Sequence, residues 1–571
     1  MSEYLKYKHW LEQPLEDRDL AEELAAINGD DEAIQDRFYR DLEFGTAGLR
    51  GVLGAGTNRM NIYTVRRATQ GLAEYLNSAY KDPKVAISYD SRIKSDVFAK
   101  EAARVLAAND IHVHLYKELR PVPCLSFATR ELGCNAGIMV TASHNPAKYN
   151  GYKVYGPDGC QMTNDAADAV LERINKLDLF TDIRLVDFDA AVEAGNVEFI
   201  EDDLLERYLD CVQRQSIHPE LIPDAGLRVV YTPLNGAGNK PVRKILDRIG
   251  VKDVHVVKEQ ELPNGEFPTC PFPNPEIKEA LTLGLRDCAE YKPDLLLATD
   301  PDADRMGIAV PGDDGEYVLI TGNEVGALLL EYICRERKAM GTMPKDPIAV
   351  KTIVSTRLAD RIAEDYGVQL INVLTGFKFI GEQIGLLEAK GESERFLFGF
   401  EESYGYLSGT YVRDKDAVVA SMLICEAAAF YKAKGIRMID AFRNLYKKYG
   451  YYYNCIGNFG FEGAAGMEKM AEIMARTRGD APKEIGGLKV LEFSDYKVSK
   501  TIDLVTGKET EITLPKSDVL VFGLEGGASV IIRPSGTEPK IKVYYTTTGK
   551  DEAEAKALQQ KLAADFDKLL A

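Results

Sequence analysis

Val85-Ala86-Ile87-Ser88-Tyr89, a helical stretch from near Asp96 to Ala108, Asn109, and then Ile111-His112-Val113-His114-Leu115 read as strand, helix, cap and second strand. Two short apolar runs on either side of a capped helix predict a βαβ unit, with parallel strands because a helix makes the crossover. Asn109 is the expected C-cap. The pattern returns at Leu227 to Tyr231, a helix ended by Gly250, and Val254 to Val257. It returns again at Ile348 to Ile353, a helix with Ser355 as N-cap and Gly367 as C-cap, and Gln369 to Val373.

Successive units are too far apart for a solenoid, whose repeats run roughly 20 to 50 residues, so they predict repeated domains. The tail from about residue 440 differs. It reads as strands at Val519 to Phe522, Ala528 to Ile532 and Ile541 to Tyr545, then a closing helix from Asp551. The expected fold is α/β, with three similar βαβ-containing domains and a smaller C-terminal α+β domain. The expected boundaries give domains 1–204, 205–321, 322–437 and 438–571.

A chain of 571 residues exceeds what one core supports. Its 45% hydrophobic and 28% charged content are those of an ordinary globular chain. The net charge of −19 argues against nucleic acid as a partner, since phosphate contacts need surplus Lys and Arg. Any positive charge for an anionic substrate must therefore be concentrated at a site. Nine cysteines without a CxxC pair resemble neither a disulfide framework nor a cysteine zinc site, and fit a reducing cytoplasm. The N-terminal residues lack the basic and apolar regions of a signal peptide. The apolar run Ala417 to Phe430 is shorter than a bilayer span and contains Glu426, so it predicts a buried helix and no membrane partner.

Ligands of open α/β sheets bind at the carboxyl ends of strands, and the distinctive loops fall there. Thr141-Ala142-Ser143-His144-Asn145-Pro146 follows the apolar run Ala136 to Val140 and is expected to present the Ser143 hydroxyl to solvent. His144 and Lys153 offer it proton acceptors or cationic partners, although a capping serine is the competing reading. After Leu295 to Ala298 come Asp300, Asp302 and Asp304, carboxylates that repel one another unless a cation lies between them. An all-oxygen set suits Mg²⁺ when phosphate oxygens complete the shell. An EF-hand is excluded, because its sixth position would be Arg305 instead of Gly and its twelfth Pro311 instead of Glu. A solvated acidic turn is the remaining alternative.

Three more loops carry polar chemistry. Gly399 to Gly405 places Glu401 and Ser403 two apart, able to point together at adjacent sugar hydroxyls. Arg533-Pro534-Ser535-Gly536-Thr537 combines a guanidinium, hydroxyls and a glycine-exposed backbone suited to a phosphate, though Ser-Gly between prolines is also an ordinary turn. Thr375, Gly376 and Lys378, with Arg413 and Lys415, add polar and cationic groups, and Thr46 to Gly51 is a further Gly-rich loop holding Arg50.

Taken in this order and at this spacing, Thr141 to Pro146, Asp300 to Arg305, Gly399 to Gly405 and Arg533 to Lys540 resemble the α-D-phosphohexomutases over essentially the whole chain. The resemblance implies four domains round a central cleft. It implies Ser143 as the phosphorylated serine, counted with Asp300, Asp302 and Asp304 in the Mg²⁺ set, with Arg305 a further site residue. His144, Lys153 and Arg50 become candidate acid–base or charge-stabilising groups. Glu401 and Ser403 would read the sugar, with Thr375, Gly376, Lys378 and Lys415 also on the substrate, while Arg533, Ser535, Gly536 and Thr537 would hold the non-reacting phosphate. The implied reaction interconverts α-D-glucose 1-phosphate and glucose 6-phosphate through glucose 1,6-bisphosphate, which also serves as activator. Pentose or mannose phosphates are the near alternatives, and a sugar phosphatase or a non-catalytic sensor the distant ones. Asn235 stands where relatives often carry His.

Overall fold

The computed structural model describes residues 2–45, 48–461, 463–535 and 540–570. The chain divides into two compact units, Met1–Thr321 with Ile380–Gly399 and Ser403–Met438, and Gly322–Phe379 with Phe400–Glu402 and Ile439–Ala571.

The first unit contains two mixed sheets. One comprises β1 (Gly48–Val52), β2 (Lys84–Tyr89), β3 (His112–Tyr116), β4 (Ala136–Val140), β5 (Tyr149–Tyr155) and β6 (Val197–Ile200), in the order β1-β5-β4-β2-β3-β6. Strands β2, β3, β4 and β6 run parallel, while β5 runs antiparallel to both of its neighbours, β4 and β1. The expected helix is Ser95–Ala108, and Asn109 does follow it as the C-cap. Three short helices, Glu3–Leu11, Arg18–Ala26 and Asp31–Phe38, precede β1. They bury Trp10 edge-on against Phe38 and Phe180, at 5.9 and 5.3 Å between ring centres, and such pairs add about 1 kcal/mol beyond their area burial.

The other sheet comprises β7 (Arg228–Thr232), β8 (Asp253–Val256), β9 (Leu295–Thr299), β10 (Met306–Pro311) and β11 (Tyr317–Ile320), in the order β11-β10-β9-β7-β8. Helix Ala417–Ala433, the expected apolar run, is buried, and the Asp416 carboxylate caps it by accepting from the Val418 and Val419 N–H groups at 2.8 and 3.1 Å. Among the described residues no helix is long and apolar enough to cross a membrane.

In the second unit β12 (Ile348–Thr352) and β13 (Gln369–Val373) pair in parallel, completing the third βαβ pattern. Gly367 ends its helix at φ +69°, as expected of a glycine C-cap. Ser355 does not cap that helix, which begins at Leu358 after Arg357. Its hydroxyl is 2.7 Å from that of Thr352 and also donates towards Glu402, so a tertiary partner has taken the group that local capping would use. The tail folds as an eight-stranded sheet that includes Leu520–Leu524, Ser529–Pro534 and Lys540–Gly549. The closing helix is Glu552–Leu570. The ten-residue strand Tyr451–Gly460, which pairs with Lys540–Gly549, was not anticipated because it lacks a clean apolar alternation.

Candidate active site

Every residue of β4 is buried, and the turn after it places Ser143 at φ +52°, a left-handed conformation costing roughly 1–2 kcal/mol for a side chain with a Cβ. Two interactions hold it there. The Ser143 N–H donates to Thr141 Oγ1 at 2.8 Å, and the Thr141 hydroxyl donates in turn to Asp90 Oδ2 at 2.7 Å. The Arg92 guanidinium donates to the carbonyls of Ser143, Asn145, Pro146 and Tyr149, clamping the loop. Asp90 and Arg92 follow β2, a strand-end position at which sequence reading could have found them.

Ser143 does not face solvent as expected: it is 3% exposed. The approach of the second sheet covers it. Its Oγ donates to Asp300 Oδ2 at 3.1 Å and lies 3.2 Å from His144 Nδ1. Burial, reinforced by Arg305, pushes the His144 imidazole down to about 2, which leaves it neutral.

Asp300, Asp302 and Asp304 converge with one oxygen each within 4.8 Å of the others, all fully buried. At that separation two carboxylates repel by about 3 kcal/mol at an effective dielectric constant near 20. Burial and then the charge of Asp302 raise Asp300 well above the usual carboxylate range, and the same two causes raise Asp304. Burial would raise Asp302 too, but the Lys153 ammonium outweighs it and holds this carboxyl ionised. Lys153 Nζ is 3.1 Å from Asp302 Oδ2, and Lys415 Nζ is 3.1 Å from Asp304 Oδ2 and 3.0 Å from Asp414 Oδ1. Among the described residues, two buried carboxylate oxygens, Asp302 Oδ1 and Asp304 Oδ1, meet no hydrogen-bond donor. Buried acceptors are rarely left so, and a hard cation with oxygen ligands satisfies both.

Arg305 extends the site, with Nη1 3.1 Å from Glu276. Arg50 and Lys153 share a face of the β1–β5 pair, whose register sets Gly48 against Lys153 and Arg50 against Gly151. That pairing requires glycine at 48, where a Cβ would lie 2.1 Å from the Tyr152 carbonyl oxygen. Arg413 does not line this site; its guanidinium is buried on Glu388 at 2.7 Å.

The chain matches the phosphoglucomutase/phosphomannomutase family in four parts. These are alpha/beta/alpha domain I over residues 41–180, domain II over 206–313, domain III over 321–449, and the C-terminal domain over 482–565. The chain belongs to the phosphoglucomutase/phosphomannomutase family. It is 38% identical over 505 residues to a phosphoglucomutase of Staphylococcus saprophyticus, covering 88% of this chain and 90% of that one. Among solved structures it resembles pp63/parafusin, a phosphoglucomutase of Paramecium, with a TM-score of 0.69 at 18% identity, covering 93% and 95% of the two chains. It also resembles a phosphoglucomutase/phosphomannomutase family protein of Burkholderia thailandensis, with a TM-score of 0.65 at 16% identity, covering 92% and 97%. The protein is thus a phosphohexomutase, an isomerase-class enzyme, with the expected four-part α/β architecture.

The second unit of this phosphohexomutase gathers another set. Glu401 ends the strand Phe396–Glu401 and accepts from the Gly376 N–H at 3.0 Å. Gly376 has φ +121°, a conformation that side chains rarely adopt. Glu402 points differently, accepting from Thr352 at 3.1 Å. Tyr544 lies where Glu402, Arg533 and Glu401 all act on it, and its hydroxyl is pushed up to about 12 by burial and the Glu402 charge against the pull of Arg533. Tyr544 was missed because only strand register brings it here. Among the described residues Thr375 Oγ1 is buried without a hydrogen-bond partner, and Lys378 is the second residue of the helix Phe377–Ala389. Ser535 closes the turn after Arg533 with its N–H on Lys540 O at 2.7 Å. Ser403 belongs to the first unit, and Gly536 and Thr537 lie outside the described residues.

Proposed function

We propose that the enzyme interconverts α-D-glucose 1-phosphate and glucose 6-phosphate, with Ser143 as the phosphoryl carrier and glucose 1,6-bisphosphate as intermediate and activator. The observation carrying this is the buried Ser143 Oγ, 3.1 Å from an acid triad with two unsatisfied oxygens. Asp300, Asp302 and Asp304 would hold Mg²⁺, which supplies charge neutralisation for a phosphate on Ser143.

Phosphoryl transfer needs in-line positioning and charge stabilisation more than covalent help. In the forward half, the bond from Ser143 Oγ to phosphorus breaks, a sugar hydroxyl oxygen forms the new bond, and the hydroxyl proton ends on Ser143 Oγ. In the return half the bond from the other phosphate to its sugar oxygen breaks, Ser143 Oγ forms the new bond to phosphorus, and the serine proton ends on the released sugar oxygen, with neutral His144 Nδ1 3.2 Å from the Ser143 hydroxyl as its hydrogen-bond partner. Lys153, Lys415, Arg305 and Arg50 supply positive charge around the transferring group. Glu401 and Ser403 take sugar hydroxyls, and Thr375, Gly376 and Lys378 also take the substrate. Arg533, Ser535, Gly536 and Thr537 take the phosphate that is not reacting. The four domains are assigned to 1–204, 205–321, 322–437 and 438–571, and free cysteines fit a cytoplasmic enzyme.

Enzyme stripped of its serine phosphate should be inactive on glucose 1-phosphate alone and restored by catalytic glucose 1,6-bisphosphate, while Ser143→Ala should lose more than about a thousandfold in rate. Full-rate turnover by unphosphorylated enzyme without primer would refute the phosphoserine cycle. Faster turnover of mannose, ribose or deoxyribose 1-phosphate would reassign the substrate, and net release of inorganic phosphate would make it a phosphatase.

A further inference from the structure

Among the described residues, phosphoryl transfer leaves one cluster of ligating side chains unused, at the opposite end of the first sheet from Ser143. Ser143 follows the carboxyl end of β4, whereas His112 opens the parallel strand β3. His112 and His114 stand two apart on β3 and share a face, with imidazole centres 4.6 Å apart. On the neighbouring edge strand β6, Glu198 sits opposite His114. Its Oε2 is 3.4 Å from His112 Nε2 and 3.7 Å from His114 Nδ1.

We propose that His112, His114 and Glu198 form a second metal site, selective for an ion of the Zn²⁺ class. One ligand atom from each residue lies within 4.8 Å of the others. A tetrahedral ion with bonds of about 2.0–2.1 Å needs its ligand atoms roughly 3.4 Å apart, so the set must tighten slightly. Glu198 can do this: its side chain is 57% exposed at the sheet edge. Ala86, opposite His114 on β2, contributes only a methyl group to the same face.

Donor chemistry separates this site from the aspartate triad. Two imidazoles and one carboxylate suit Zn²⁺, whereas Mg²⁺ prefers oxygen and retains its water. Three protein ligands leave the fourth position to a water molecule. The exposed Lys84, opposite His112, lowers the affinity through its charge without closing the site. An ion here would tie the edge strand β6 to β3, stabilising the fold by mass action.

The test is calorimetric titration of Zn²⁺ into the full-length enzyme kept in saturating Mg²⁺, which guards the aspartate triad, with melting followed in parallel. The expected result is binding of a single equivalent, a higher melting temperature, and about tenfold or more weaker binding in His112→Gln and in Glu198→Gln, with the mutase rate of both variants unchanged. Glu198 is exposed, so that variant should fold even if the histidine variant does not. Absence of Zn²⁺ binding, or an affinity unchanged in Glu198→Gln, would overturn the site.

Discussion

Lys153 Nζ lies 3.1 Å from Asp302 Oδ2 across 149 residues of chain, tying strand β5 of the first sheet to the acidic loop of the second. The carboxylate is fully buried and the ammonium nearly so, which makes the pair one whose breaking strands a charge. Lys153→Met should destabilise the metal-free protein by about 3–5 kcal/mol, with Mg²⁺ restoring part of the loss. Denaturant unfolding with and without Mg²⁺ measures it, and an unchanged midpoint in chelator would mean that Asp302 does not depend on Lys153.

Chelation should abolish turnover and also lower the melting temperature, because the three aspartates then face one another without a cation. Asp302→Asn removes one ligand and part of the repulsion. That variant should lose activity while its melting temperature becomes less sensitive to Mg²⁺. A variant as active as the wild type in chelator would exclude the triad from catalysis.

Acid should expose the state of His144. Its folded pKa of about 2 lies below the ordinary value of about 6.5, because burial and Arg305 disfavour the imidazolium. A depressed folded pKa contributes stability above the unfolded value and loses it as pH falls through the interval towards 2, since the unfolded chain takes up a proton that the folded one refuses. Wild type should therefore lose more stability than His144→Asn between about pH 7 and about pH 5. Equal losses would show that His144 is charged in the folded protein.

Glu401→Gln should weaken sugar turnover without altering Mg²⁺ affinity. The carboxylate is buried and accepts the Gly376 N–H, so the amide keeps the shape while losing the charge. A cost of about 1–3 kcal/mol corresponds to roughly fivefold to 150-fold in kcat/KM. A shift in Mg²⁺ affinity instead would place Glu401 at the ion.

The βαβ units, the buried helix Ala417–Ala433 and the strand-end loops were legible in the sequence because each rests on short-range physics. A run of apolar residues selects a strand, Asn109 and Gly367 stop helices locally, and three aspartates on one short loop are close whatever the rest of the chain does. The tertiary structure alone decided that Ser143 is buried, that Ser355 serves Glu402 instead of a helix, and that Arg92 clamps the serine loop. It also placed Tyr544 beside Arg533 and His114 opposite Glu198. Those outcomes depend on strand register and on the packing of distant segments. Neither leaves a periodic trace in the sequence, because a contact across a hundred residues restricts only the two side chains that make it.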